Sequence, residues 1–226
     1  MSKSAFTFAT SGRISFGAGT ATEIPGAVVA RGRRALVVTG STPSRYDVLD
    51  ALDEADVEVV RLQASREPTV DDAREAVDAA RGCDVVLGLG GGSVLDLAKA
   101  AGALARADDV MDHLEVIGRG RPLPASGLPV VAAPTTAGTG SEVTANAVLS
   151  SPEDRVKASL RSPLMLPRLA VVDPALTVAC PPQVTASSGM DALTQCLEPY
   201  MSHRANPVTD GWARIGLMSA GLGLRT

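Results

Sequence analysis

Two runs of small residues in this chain have the composition of a site for an anion. The first, Gly90-Gly91-Gly92-Ser93, follows the apolar run Asp84 to Leu89 and leads straight into Val94, Leu95, Leu97, Ala98, Ala101 and Leu104, apolar residues at helical spacing. Strand, glycines and helix in that order make a site where a bulky anion could meet free backbone N–H groups at the positive end of a helix dipole. Glycines suit it because they turn sharply and carry no Cβ. Ser93 is predicted to cap the helix, with Asp96 three residues on as the acidic partner of a capping box. The run is neither GxGxxG nor a P-loop, since Ser93 replaces a third glycine and no GK[ST] follows. It therefore reads either as a phosphate cradle or as a plain strand-to-helix turn.

The second run is Thr135-Thr136-Ala137-Gly138-Thr139-Gly140-Ser141-Glu142, delivered by the apolar PVVAAP. Thr135, Thr136 and Thr139 are candidate donors to a ligand held close to the backbone; the alternative is a solvent-exposed turn.

Elements able to position these runs are legible along the chain. Strands are predicted at Ala35 to Thr39, Val57 to Leu62, Asp84 to Leu89, Pro129 to Pro134, Ala145 to Ser150 and Leu169 to Val172. Helices are predicted from Ser44 to Glu54, from Thr69 to Arg81 with Thr69 as the cap and Asp71 and Asp72 in the first turn, and after the glycine run. Three strand-and-helix units in succession argue for a parallel sheet with helices on its faces. Residues 107 to 128 are polar and rich in Gly and Pro, and read as a loop excursion with one helical turn. From Pro181 the character is helical, with one segment from Ser188 to Ser202 and another opening at Pro207 that carries Trp212, Ile215, Leu217 and Met218.

Composition excludes several classes. With 226 residues and 45% hydrophobic content the chain can bury a core, and aromatic content of 3% means that core is built of small aliphatics. The net charge of −4 and the lack of a basic run give nucleic acid no electrostatic footing. Cys83, Cys180 and Cys196 are few, odd in number and widely spaced, which fits reduced thiols in a cytoplasmic protein. No signal-peptide core opens the chain, and no apolar span reaches the roughly 18 residues of a membrane helix. The expected partner is a small molecule rather than nucleic acid or membrane.

The blocks GAGTATEIP, EPTVDDAREAVDAARGCDVVLGLGGGSVLDLAKA, PTTAGTGSEVTANAVLS, KASLRSPLMLPRLAVVDPALT and GMDALTQCLEPYMS, in this order, resemble the iron-containing (group III) alcohol dehydrogenases. The resemblance covers nearly the whole chain from about residue 12. It implies a Rossmann-like α/β dinucleotide-binding domain over residues 1 to 178, and over 179 to 226 the beginning of an all-helical domain that is cut short. It implies NAD or NADP as cofactor, a divalent metal (Fe or Zn) between the domains, an alcohol or aldehyde substrate, and a homodimer as a candidate assembly. By position it makes Gly91, Gly92 and Ser93 contacts of the cofactor pyrophosphate, with Asp96 beside them and Thr135, Thr136 and Thr139 on the nucleotide. It likewise brings Lys157, otherwise a plain surface charge, to the nicotinamide side, and makes Leu176 a cofactor-lining residue. It assigns no catalytic side chain.

Two departures qualify that expectation. Where NAD-preferring relatives carry an Asp after the first strand, this chain has Gly40, followed by Ser41 and Thr42, which should admit the 2′-phosphate of NADP. The metal position Asp191 is followed four residues later by Gln195 where the family has His, a weaker ligand for Fe or Zn than imidazole. The chain's two histidines, His113 and His203, match no ligand position. Two further expectations therefore remain beside the dehydrogenase: a truncated relative that binds nucleotide without catalysis, and a maleylacetate reductase-like enzyme of the same fold.

Overall fold

The structure is a computed structural model that describes residues 5–43, 46–64, 66–107, 109–123 and 127–225. Six strands form one parallel sheet: β1 (Ile14–Phe16), β2 (Arg34–Thr39), β3 (Glu58–Gln63), β4 (Val85–Gly90), β5 (Val130–Pro134) and β8 (Leu169–Val172). Their spatial order is β1-β8-β5-β4-β2-β3. β4 and β5 are buried along their whole length, as unbroken apolar strands of a sheet covered on both faces must be.

Successive residues of each strand feed opposite faces. Leu36, Val38 and Val86 pack under α3 (Val70–Ala80) and α4 (Gly92–Leu104), whereas Ala35, Val37, Val85 and Leu87 pack under α1 (Ile24–Val29) and α2 (Val48–Glu54). Two apolar layers therefore clamp one sheet. The start of α3 follows the sequence closely: Thr69 Oγ1 accepts from Asp72 N at 3.1 Å and the Asp72 carboxylate accepts from Thr69 N at 2.8 Å, a complete capping box.

The structure adds a strand the sequence did not announce. Residues Val156–Arg161 form β7, paired antiparallel with β6 (Asn146–Ser151) across a turn in which Arg155 takes φ 52°. Its alternation is amphipathic, with Ala158 and Leu160 buried and Lys157 and Arg161 exposed. Helix α5 (Pro182–Met201) also begins six residues before the predicted Ser188, with Pro182 at its first position, where a missing N–H costs nothing. α6 (Pro207–Gly223) starts where predicted, on an Asn206 cap. Among the described residues of the loop excursion, only Val110–Asp112 forms a helical turn, and His113 closes it. The predicted helix start at Ser44 lies outside the described residues.

Asp173 ties the last sheet strand to the N-terminal segment. Its carboxylate accepts from Ala21 N and from Ala175 N, both at 2.9 Å, in a nearly fully buried position. Burial by itself would lift its pKa, but the N–H groups of Ala21, Ala175 and Gly19 outweigh that and hold it below the ordinary 3.8. A depressed folded-state value means stability that is present above the unfolded pKa and lost as pH falls through the folded one. Asp173→Asn should therefore cost about 1–3 kcal/mol at neutral pH and flatten the acid limb of a stability–pH curve. Denaturant titration from neutral pH down to pH 3 checks this, and an unchanged acid limb would rule it out.

Candidate functional site

β2 leads through α2 outward to β3, while β4 leads through α4 the other way to β5. The crevice outside the carboxyl ends of β2 and β4 is thus the topological switch point, where ligands of open α/β sheets bind. A cavity of about 690 Å³ lies there. Gly40 and Ser41 border it from the end of β2, and Gly91, Gly92, Ser93 and Asp96 from the end of β4 and the start of α4. Thr136 and Thr139 close it from the loop after β5, and Ser188 and Asp191 from α5.

The glycine run does its work by close approach. None of Gly90, Gly91 and Gly92 has a left-handed backbone, and Gly91, the cap of α4, is extended at φ −75°, ψ −175°. A Cβ on Gly92 would instead stand 2.7 Å from Thr139 Cγ2 and 2.8 Å from its Oγ1, so the two runs touch only because position 92 is glycine. The expected sharp turn is therefore replaced by packing between loops. The predicted capping box is absent as well: Ser93 lies inside the first turn, and the cap makes no side-chain bond.

Asp96 has other partners. Its carboxylate accepts from Ser141 Oγ and from Val148 N at 3.0 Å, and it stands 3.2 Å from Lys99 Nζ. Lys99, which sequence reasoning passed over, is fully buried. Its ammonium donates to Ser141 O and Thr144 Oγ1, both at 2.9 Å, and to Asn146 O. Burial pushes Lys99 below its ordinary pKa, against the pull of Asp96 and Glu142, and burial lifts Glu142. These two side chains of α4 thus pin the end of the threonine run and the start of β6. The only sequence signal was their spacing: Asp96 and Lys99 are three apart, on one helix face.

The remaining candidates divide. Thr135 is absent from the cavity lining, and its N–H donates to Gly90 O at 3.0 Å. Lys157 is exposed and pairs with Glu67 at 2.8 Å, and it is Glu67 that borders the cavity. Leu176 sits in the turn Pro174–Thr177 against a different cavity, beside Tyr46 and Val48. Asp191 reaches the main cavity, but Gln195 lines another with Cys196 and Trp212. Among the described residues no three His, Cys, Asp or Glu side chains gather closely enough to hold a metal. Asp191 and Gln195, one turn apart on α5, bring one carboxylate and one neutral amide, fewer donors than the three or four protein ligands of a zinc site.

Six parallel strands, helices on both faces and a cleft at the switch point define a Rossmann-like α/β protein. The chain belongs to the iron-containing alcohol dehydrogenase family, whose model matches residues 11–174. It is 47% identical over 150 residues to long-chain-alcohol dehydrogenase 1 of Geobacillus thermodenitrificans, an alignment covering 65% of this chain and 37% of that protein. It is 36% identical over 189 residues to the NAD-dependent methanol dehydrogenase of Bacillus methanolicus, covering 80% and 49% respectively. The sulfoacetaldehyde reductase of Bifidobacterium kashiwanohense, solved in complex with NAD+, superposes with a TM-score of 0.86 at 33% identity, over 99% of this chain and 61% of that one. The chain spans less than half the length of the first two relatives.

Proposed function

We propose that this chain is the dinucleotide-binding part of an NAD(P)-dependent oxidoreductase acting on a small alcohol or aldehyde. The observation that carries the reading is the meeting of Gly91, Gly92, Ser93, Thr136 and Thr139 around one cavity at the switch point. The donor set fits a pyrophosphate: free N–H groups at the start of α4, hydroxyls from the facing loop, and no Cβ at Gly92 to fill the space between them. Hydride exchange is the chemistry the dinucleotide supplies when bound. The chain's own part is to hold the phosphates and to fix the threonine loop through Asp96 and Lys99.

Gly40 bears on which dinucleotide is taken. The Cβ direction there is open, and no carboxylate stands at residues 40 to 42. NADPH is therefore expected to bind at least as well as NADH, measured by nucleotide fluorescence titration of the chain; a tight preference for NADH would sink this. Gly40→Asp should weaken NADPH by about tenfold or more through repulsion of the 2′-phosphate, leaving NADH unharmed.

A second reading, nucleotide binding without turnover, rests on the donor set: Asp191 is followed one helical turn later by Gln195, a neutral amide where imidazole would bind metal more strongly. Assay of the chain with an alcohol series, both cofactors and added Zn or Fe separates the two. Metal-dependent turnover rejects the second reading, and binding without turnover rejects activity of this chain.

A further inference from the structure

Resting on the dinucleotide reading, we propose that Arg66 is the residue that recognises the 2′-phosphate of NADP(H). β2 and β3 end side by side, with Thr39 opposite Gln63 and Ala64 N donating to Thr39 O at 2.8 Å. The loop after β3 therefore starts beside Gly40 and Ser41, and Arg66 lines the same cavity as they do. The strand order β4-β2-β3 sets the end of β2 between the glycine cradle and this loop, so Arg66 stands on the far side of Gly40 from the pyrophosphate donors.

Charge isolates the same residue. Arg66 is the single cation bordering the cavity among the described residues, beside the carboxylates Glu67, Asp96 and Asp191. Two of those three are already engaged, Glu67 with Lys157 and Asp96 with Lys99. The present partner of Arg66 is Asp72, at 3.2 Å from both carboxylate oxygens, with the arginine side chain 65% exposed. Asp72 has its own obligations, since one of its oxygens accepts from Thr69 N and Thr69 Oγ1 at 2.8 Å. An exposed pair of this kind is weak. The guanidinium is free to swing to a phosphate, which its planar fork suits better than any ammonium would.

Dissociation constants of NADPH, NADH and 2′,5′-ADP for the wild-type chain, Arg66→Ala and Arg66→Lys test the assignment. Arg66→Ala should weaken NADPH and 2′,5′-ADP by about tenfold or more, the scale of a charge-assisted pair, and move NADH by less than about twofold, within the spread of exposed surface changes. Arg66→Lys should recover part of the loss. Arg66 is exposed, so folding is not at stake, and an unchanged melting temperature verifies that. Equal weakening of both dinucleotides would move Arg66 to the pyrophosphate and overturn the assignment, as would no weakening of either. If the wild-type chain binds NADH but not NADPH the assignment falls and the dinucleotide reading stands; if it binds neither, both fall.

Discussion

Replacing Lys99 with Met is expected to cost about 3–5 kcal/mol of folding stability, the scale found when one partner of a buried ion pair is removed. The side chain is fully buried, so Met fills much of the same volume and the loss falls on the hydrogen bonds. Ser141 O, Thr144 Oγ1 and Asn146 O each lose a donor, and Asp96 loses its countercharge. A carbonyl or carboxylate stranded away from water costs more than the bond it had formed. The same contacts join α4 to the threonine loop and to β6, over 42 to 47 residues of chain. A stable variant would therefore still hold that loop loosely and bind dinucleotide poorly. Urea denaturation with the double variant Asp96→Asn/Lys99→Met decides the matter. A double variant less damaged than the sum of the singles shows coupling, and a Lys99→Met chain within 1 kcal/mol of wild type, a surface-substitution effect, rejects the account.

The route by which this lysine escaped notice shows what the sequence carries and what it does not. Gly90 to Ser93 could be read because strand, glycines and helix are consecutive, and Thr69 as a cap with Asp71 and Asp72 in the first turn because those residues are neighbours in the chain. Lys99 carries no such local mark. In a helix among alanines a lysine reads as the solvated face, and it is the fold of the threonine loop and the start of β6 back over α4 that gives it partners. β7 was lost for a related reason: Val156, Ala158 and Leu160 alternate with Lys157, Ser159 and Arg161, but the core of α3 and α4 that covers Ala158 and Leu160 is a tertiary fact. Among the early residues of α5, Val184, Thr185, Ser187 and Ser188 are weak helix formers, so propensity placed its start too late. Ser93 failed in the opposite direction. A good cap by type, it stands two residues past the cap that the backbone chose, and Asp96 was already committed to Ser141 and Val148.

Site residues followed the same rule. Those that sit at strand ends on the switch point, Gly91, Gly92, Ser93, Thr136 and Thr139, converge on one cavity. Those that depend on how more distant segments pack do not: Leu176 and Gln195 border other cavities, and Lys157 meets the site through Glu67. Arg66 was invisible because its meaning comes from β3 ending beside β2.

Gly92→Ala is expected to weaken dinucleotide binding by about tenfold or more while leaving the fold standing, an effect of roughly 1.4 kcal/mol confined to the ligand. Position 92 has no left-handed backbone, so alanine is not strained there, and within a helix it is favoured over glycine by up to about 1 kcal/mol. Against that gain stands one collision. The new methyl would lie 2.7 Å from Thr139 Cγ2 and 2.8 Å from Thr139 Oγ1, closer than real Cβ contacts allow. These atoms are the free end of a side chain, so Thr139 can rotate away at small energetic cost, and the melting temperature should move little. Its hydroxyl, however, accepts from Ser141 N at 3.3 Å and borders the cavity, so rotation disturbs the loop at the point where phosphate oxygens need donors. Removing the obstacle should then remove most of the effect. In Thr139→Ala the two close atoms are gone and the Cβ of residue 139 stands 3.1 Å away, a contact relieved by a shift of a few tenths of an ångström. The double variant Gly92→Ala/Thr139→Ala should consequently bind NADPH about as well as Thr139→Ala alone. Strictly additive losses in that cycle would mean that the methyl at position 92 blocks the ligand itself and that contact with Thr139 is incidental.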